Sequence, residues 1–155
     1  MIKINVITRN ISWFKYIKNP NSYIDRKVSK INIKNKMLVG KSIYCTLLLS
    51  GEKEIKNLNK KFRKKNKSTD VLSFPFYPKK DLYKRLINEK EIYIGDIIIN
   101  LNKINEKKKL KNFKKEFDNL WIHGLVHLFG HDHKKEKDYL IMSKLEKKYS
   151  RFINE

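Results

Sequence analysis

From Leu110 to Leu128 the apolar residues return on one side of a helix, and this stretch constrains the fold more than any other. Leu110, Phe113, Phe117, Leu120, Trp121 and Leu128 share a face at helical spacing. A helix this apolar must lie against a sheet or other helices. It is expected to stop near Gly130, a residue suited to a helix C-terminal turn. All four histidines of the chain sit at its end, in "HGLVHLFGHDH" at 123–133. His123 and His127 are one turn apart at one edge of the apolar stripe, where two imidazoles reach a single ion. Gly130 turns the chain, and His133 returns as a third ligand. Three histidines leave one position open on a tetrahedral zinc, which is the catalytic arrangement. One zinc so held lowers the pKa of bound water toward about 7 and supplies hydroxide at neutral pH. A lone histidine at a helix edge is usually an ordinary surface residue. Four within eleven residues, with none elsewhere, are not. His131 lies in the turn and is read as outside the ligand set. Asp132 is read as a residue that orients a histidine.

The rest of the chain supplies the sheet. "MIKINVITRN" alternates enough to open it, and residues 21–38 read as a first helix. "SIYCTLLLS" reads as a strand over about 43–50. Ile55, Leu58 and Phe62 then fall at helical spacing. "DVLSFPF" at 70–76 is a short strand that Pro75 ends or places at an edge. "YPKKDLYKRLINEKE" reads as a charged connection. "IYIGDIII" at 92–99 is a strand with Gly95 as a candidate bulge. A long helix is expected directly after Asn100, and "KDYLIMSKLEKKYSRF" closes the chain as an amphipathic helix. The pattern predicts one α+β domain over residues 1–155, with about four strands in a mixed sheet, helices packed on it and the metal site at a helix end. Cys45, the sole cysteine, sits in an apolar run and is read as a core thiol. With no disulfide and no visible secretory leader, the cytoplasm is the expected compartment. No apolar run approaches the roughly 20 residues that span a bilayer.

Charge narrows the chemistry. Thirty-seven Lys and Arg against sixteen Asp and Glu leave +21, which draws polyanions and argues against a basic substrate. Part of the lysine excess accompanies abundant Ile and Asn, as codon drift in an AT-rich genome produces. The histidine spacing matches the HExxHxxGxxH of one zinc peptidase class at every ligand and at Gly130. At the glutamate place stands Gly124. That glutamate activates water and passes its proton to a leaving amine, so amide cleavage depends on it. A phosphodiester makes a lighter demand for proton relay and a heavier one for positive charge on the non-bridging oxygens. Arg63 ends a helical pattern just before "KKNK" and is suited to grip a phosphate with two parallel hydrogen bonds. Lys60, Lys61, Lys64 and Lys65 around it have the ordinary look of a solvated helix face.

"HGLVHLFGHDH", "NLNKKFRKKNKSTDVLSFPF" and "IGDIII", in this order and spacing, resemble the YbeY family of bacterial metal-dependent endoribonucleases. The resemblance runs over roughly residues 40–150. It implies an α+β domain, one zinc held by His123, His127 and His133, and cleavage of single-stranded RNA. It further implies a part in maturing the 3′ end of small-subunit ribosomal RNA and in ribosome quality control. Ribosomal subunits or ribosomal proteins are then expected partners, with neither DNA nor membrane. The family's functional arginine falls on Arg63. Relatives often carry Tyr where His131 stands. Ser73 and Asp96 are placed at the edge of the site or in structural roles, and Lys60, Lys64 and Lys65 along the RNA.

Three readings follow. In the first, zinc-bound water or hydroxide acts at the scissile phosphate while Arg63 neutralises developing charge. In the second, the zinc is structural and the chain is a non-catalytic ribosome-assembly factor. The third is a zinc peptidase with its glutamate supplied from elsewhere, such as Glu91 or Glu136.

Overall fold

β1 (Ile2–Thr8) buries Ile2, Ile4 and Val6 and exposes the residues between them, the alternation of a strand with one face on a core. The computed structural model describes residues 1–155, the side chain of Met37 excepted. A 3₁₀ turn at Ile11–Lys15 follows, and its buried Trp13 donates from Nε1 to the Ser50 carbonyl at 2.9 Å. α1 (Pro20–Lys34) starts where Asn19 caps the Ser22 amide and Pro20 presets the first turn. Next come β2 (Ser42–Ser50), α2 (Glu52–Arg63), β3 (Val71–Pro75), α3 (Lys79–Asn88) and β4 (Glu91–Asn100). α4 (Leu110–Leu128) and α5 (Glu136–Asn154) complete the chain.

The sheet order is β1-β2-β4-β3, with β1, β2 and β4 parallel and β3 antiparallel to β4. The four-stranded mixed sheet and α+β class are as expected. Pro75 closes β3, an edge strand, where a missing amide breaks no ladder. α1, α4 and α5 cover one sheet face over a core that includes Trp13, Phe113, Phe117 and Trp121. α2 covers part of the other face through Ile55, packed with Leu72 and Ile98. Cys45 is buried in the first core, and its thiol is pushed up to about 12 by burial and then by Asp96.

A bulge in β4 sets which residues face the helices. Tyr44 pairs with Tyr93 but Cys45 pairs with Gly95, so Ile94 is an extra residue. Before the bulge Ile92 and Ile94 enter the main core. After it Ile97 and Ile99 do, and Ile98 joins the opposite cluster. Gly95 carries the distortion at φ +135, with the Phe74 carbonyl oxygen 2.2 Å from where a Cβ would stand.

Two expectations fail. Residues 79–88 form α3, not a connection. Leu82 is the one fully buried residue of this helix, Leu86 packs half-buried against the same core, and Tyr83 and Ile87 are exposed. No long helix follows Asn100 directly. The Asn100 side chain caps the Asn102 amide in a 3₁₀ turn at Leu101–Lys103, and Ile104 leaves it in extended conformation. The amides of Asn105 and Glu106 then donate to Glu116, so the helix begins only at Leu110. Leu110 itself is exposed at that first turn, outside the buried stripe.

Candidate metal centre and cationic cleft

α4 delivers His123 and His127 one turn apart and ends in a turn built around Gly130. The Gly130 amide donates to His127 O at 2.9 Å and the His131 amide to Val126 O at 3.3 Å. This pair of bonds with Gly130 at φ +85 is a Schellman termination. It turns the chain so that His133 faces back. Ligand atoms of His123, His127 and His133 then lie within 4.8 Å of one another, a group that can hold a metal ion.

The protons on these rings follow from their partners. His127 Nδ1 lies 2.8 Å from the His131 carbonyl oxygen, which only accepts, so Nδ1 carries the hydrogen. His123 Nδ1 likewise donates to Glu146 Oε1 at 2.7 Å. The two Nε2 atoms are therefore bare, and they face each other at 3.1 Å. Two lone pairs at that distance repel unless a cation sits between them. Nitrogens about 2.0–2.1 Å from a tetrahedral zinc stand about 3.3–3.4 Å apart, so the donor set fits such an ion. Burial, and next the neighbouring His123 ring, hold His127 below the ordinary histidine value, which favours the neutral form a metal needs.

His131 contributes its carbonyl to His127 and lies outside the group of ligand atoms. Asp132 Oδ1 accepts the His133 amide at 2.7 Å and so fixes the return of that residue. Glu146, on α5, was invisible in the sequence, where it reads as one more charge of an amphipathic helix. Carboxylate–histidine–metal arrangements of this kind orient the ring and raise its basicity.

Gly124 has a structural reason. It faces β4, and a Cβ there would stand 2.5 Å from Ile97 Cγ2 and 3.1 Å from Cγ1. The position points into helix–sheet packing, so a glutamate could not reach the metal from it.

His127, His131, Asp132 and His133 line a cleft of about 830 Å³ with Arg63, Lys65 and Ser73. Arg63, the last residue of α2, donates to the Ser73 carbonyl at 2.8 Å and lies over the Phe74 ring at 5.7 Å. These interactions aim the guanidinium and leave other donors free. Asn59 steadies the loop beyond it by donating to Lys67 O. Lys79 and Lys134 add charge to the cleft, with Phe76 and Tyr77 beside them. The sequence reading missed this wall because it missed α3. Lys60 and Lys64 lie outside the cleft, in a shallow basic pocket with Lys61. Asp96 also lies apart: opposite Phe74 in the ladder, on the sheet face away from the histidines, it accepts from the Tyr93 hydroxyl.

Fold and site define a class first: an α+β domain whose three-histidine group can hold a metal beside a cationic cleft. The comparisons with known proteins carry this to a family. The Endoribonuclease YbeY model matches residues 3–154. The chain is 42% identical to the Endoribonuclease YbeY of Pelagibacter ubique, over 99% of this chain and 97% of that protein. It is 38% identical to that of Buchnera aphidicola subsp. Schizaphis graminum, over 98% and 92%. A solution structure of a Thermotoga maritima protein superposes with a TM-score of 0.61 at 27% identity, covering 97% of this chain and 89% of that one. The chain belongs to the YbeY family of endoribonucleases, and is a nuclease of the hydrolase class.

Proposed function

We propose that residues 1–155 form one zinc-dependent endoribonuclease domain, acting in the cytoplasm on single-stranded ribosomal RNA. Its task is maturation of the small-subunit RNA 3′ end and quality control of ribosomes, with ribosomal subunits or proteins as partners. The observation that carries the reading is the three-histidine group, with Nε2 atoms of His123 and His127 3.1 Å apart, beside a cleft that His127 and His133 line with Arg63 and lysines. One zinc held by His123, His127 and His133 supplies, when bound, a Lewis acid that brings water toward ionisation near neutral pH.

The chain's own groups do the rest. Glu146 and the His131 carbonyl hold the two imidazoles in the tautomer that presents Nε2. Asp132 holds His133 in place through its backbone amide. Arg63 binds the scissile phosphate with the donors not spent on Ser73, and stabilises charge that grows on its oxygens. Ser73 is the fixed wall against which Arg63 is aimed. Lys65, Lys79 and Lys134 carry neighbouring phosphates, and Lys60 and Lys64 extend the basic surface beyond the cleft. Phe76, 62% exposed in the cleft, offers a ring on which an unpaired base stacks, which favours single strands over duplex. Asp96 serves the bulged strand and not the reaction.

The test compares one RNA sequence as a single strand and as a duplex, with the matching single-stranded DNA. Cleavage of the single-stranded RNA alone is expected. Equal cleavage of the duplex would overturn the specificity.

A further inference from the structure

A strand cut at an internal bond must continue on both sides of the metal, and the cationic cleft accounts for only one side. A second cleft, of about 550 Å³, is lined by His123 and Glu146 together with Asp70, Asn119, Ser143 and Ser150. It lies where α4, α5 and the start of β3 meet. The two clefts adjoin at the metal position, because His123 lines one, His127 lines the other, and their Nε2 atoms are 3.1 Å apart. A phosphate held at the three histidines sits at this junction.

The two sides differ in charge. The first carries Arg63, Lys65, Lys79 and Lys134 against the single acid Asp132, which pairs with Lys134 at 3.4 Å. The second has Lys147 against Asp70 and Glu146, and otherwise hydroxyls, an amide and the apolar Val71, Leu120 and Ile122. With one lysine against two carboxylates, such a lining attracts phosphates less than the first. Carboxylate and amide oxygens accept hydrogen bonds from ribose hydroxyls and from the exocyclic amines of bases, and the apolar floor suits a ring. The volume lies within the roughly 300–1,000 Å³ of ligand clefts.

We propose that this second cleft is a nucleotide subsite that takes the ribose and base next to the scissile phosphate, through neutral polar contacts from Asn119 and Ser143. The proposal rests on the endoribonuclease reading and deepens it. The strand then crosses the metal from a phosphate-binding side to a side that reads sugar and base.

Kinetics on a single-stranded RNA with one mapped cut test it, using the zinc-loaded chain and the variants Asn119→Ala and Ser143→Trp. Each variant should raise KM about tenfold, as loss of one or two hydrogen bonds does. Zinc content and the salt dependence of kcat/KM should stay as in wild type, and shortening the RNA on one side of the cut should abolish the difference. Asn119 is exposed on α4, so its variant carries the test if Ser143→Trp does not fold. Wild-type KM in both variants, with RNA cleaved normally, would overturn the subsite alone. A wild-type chain that cleaves no RNA would overturn the endoribonuclease reading, and the subsite with it.

Discussion

Glu146 shows how little of the centre a spacing argument reaches. His123, His127, Gly130 and His133 were legible because helix periodicity and one turn place them. The carboxylate that orients His123 lies on α5, thirteen residues beyond His133, and only tertiary packing brings it there. Glu146→Gln should weaken zinc affinity by about tenfold to a hundredfold, read by competition with a chromophoric chelator. Wild-type affinity would remove Glu146 from the centre. Arg63→Ala should lower kcat on the order of a hundredfold while zinc content and fold persist, since a fixed donor to developing charge is removed. A structural-zinc assembly factor would instead lose only RNA affinity. His127 has a pH consequence in the metal-free chain. Its folded pKa is lowered, so the unfolded chain binds the proton more readily once pH drops below about 6.5. Stability is therefore full above that value and falls as pH drops toward the lower folded pKa. Denaturation of wild type and His127→Gln across pH 5–7 checks this: the variant should show the shallower slope.

Among the elements, the four strands and α4 were legible because their patterns are strong and buried. α3 was not: Leu82 and Leu86 repeat at one turn, but the segment is short, rich in charge and has Tyr83 and Ile87 exposed beside them. The delayed start of α4 was hidden too. Leu101 and Ile104 are buried, which looks helical, yet the Asn100 cap and Glu116 commit residues 101–109 to a turn and loop. In the sequence Gly124 reads as chemistry, a glutamate withheld. It is also packing, a point where α4 lies close against Ile97 of β4. Gly124→Ala should gain about 1 kcal/mol of helix propensity and lose more, about 1–3 kcal/mol, to overpacking against Ile97. Three Ile97 side-chain carbons lie within 3.2 Å of the added methyl, so Ile97 must shift to admit it. Thermal melts should show a lower Tm. A raised Tm would mean that α4 can lift from the sheet. The tie between α4 and α1 is Asp118, which accepts from Tyr23, Trp121 and Lys27 in a buried site. Asp118→Ala leaves the Tyr23 and Trp121 donors unmatched, Lys27 keeping only the Ile153 carbonyl, and should cost about 3 kcal/mol in urea denaturation.

For the whole molecule, the +21 charge and the site work together. In the proposed reading, charge gathers RNA at range, the cleft lysines fix phosphates, and the histidine centre supplies the place where one bond breaks. RNA affinity should fall steeply with salt, and Lys79→Glu should flatten the slope by about 0.7 for each phosphate that is no longer neutralised. A slope unchanged in that variant would mean that Lys79 touches no phosphate. No helix among the described residues is long and apolar enough to cross a membrane. In the proposed function, cleavage depends on one metal ion held by three histidines. Its most direct test measures zinc per chain and the single-turnover rate on single-stranded RNA in the same preparations of wild type and His127→Ala. One zinc per chain and cleavage in wild type, with both absent together from a folded variant, is the predicted result. A zinc-free His127→Ala protein that cleaves at the wild-type rate would contradict it.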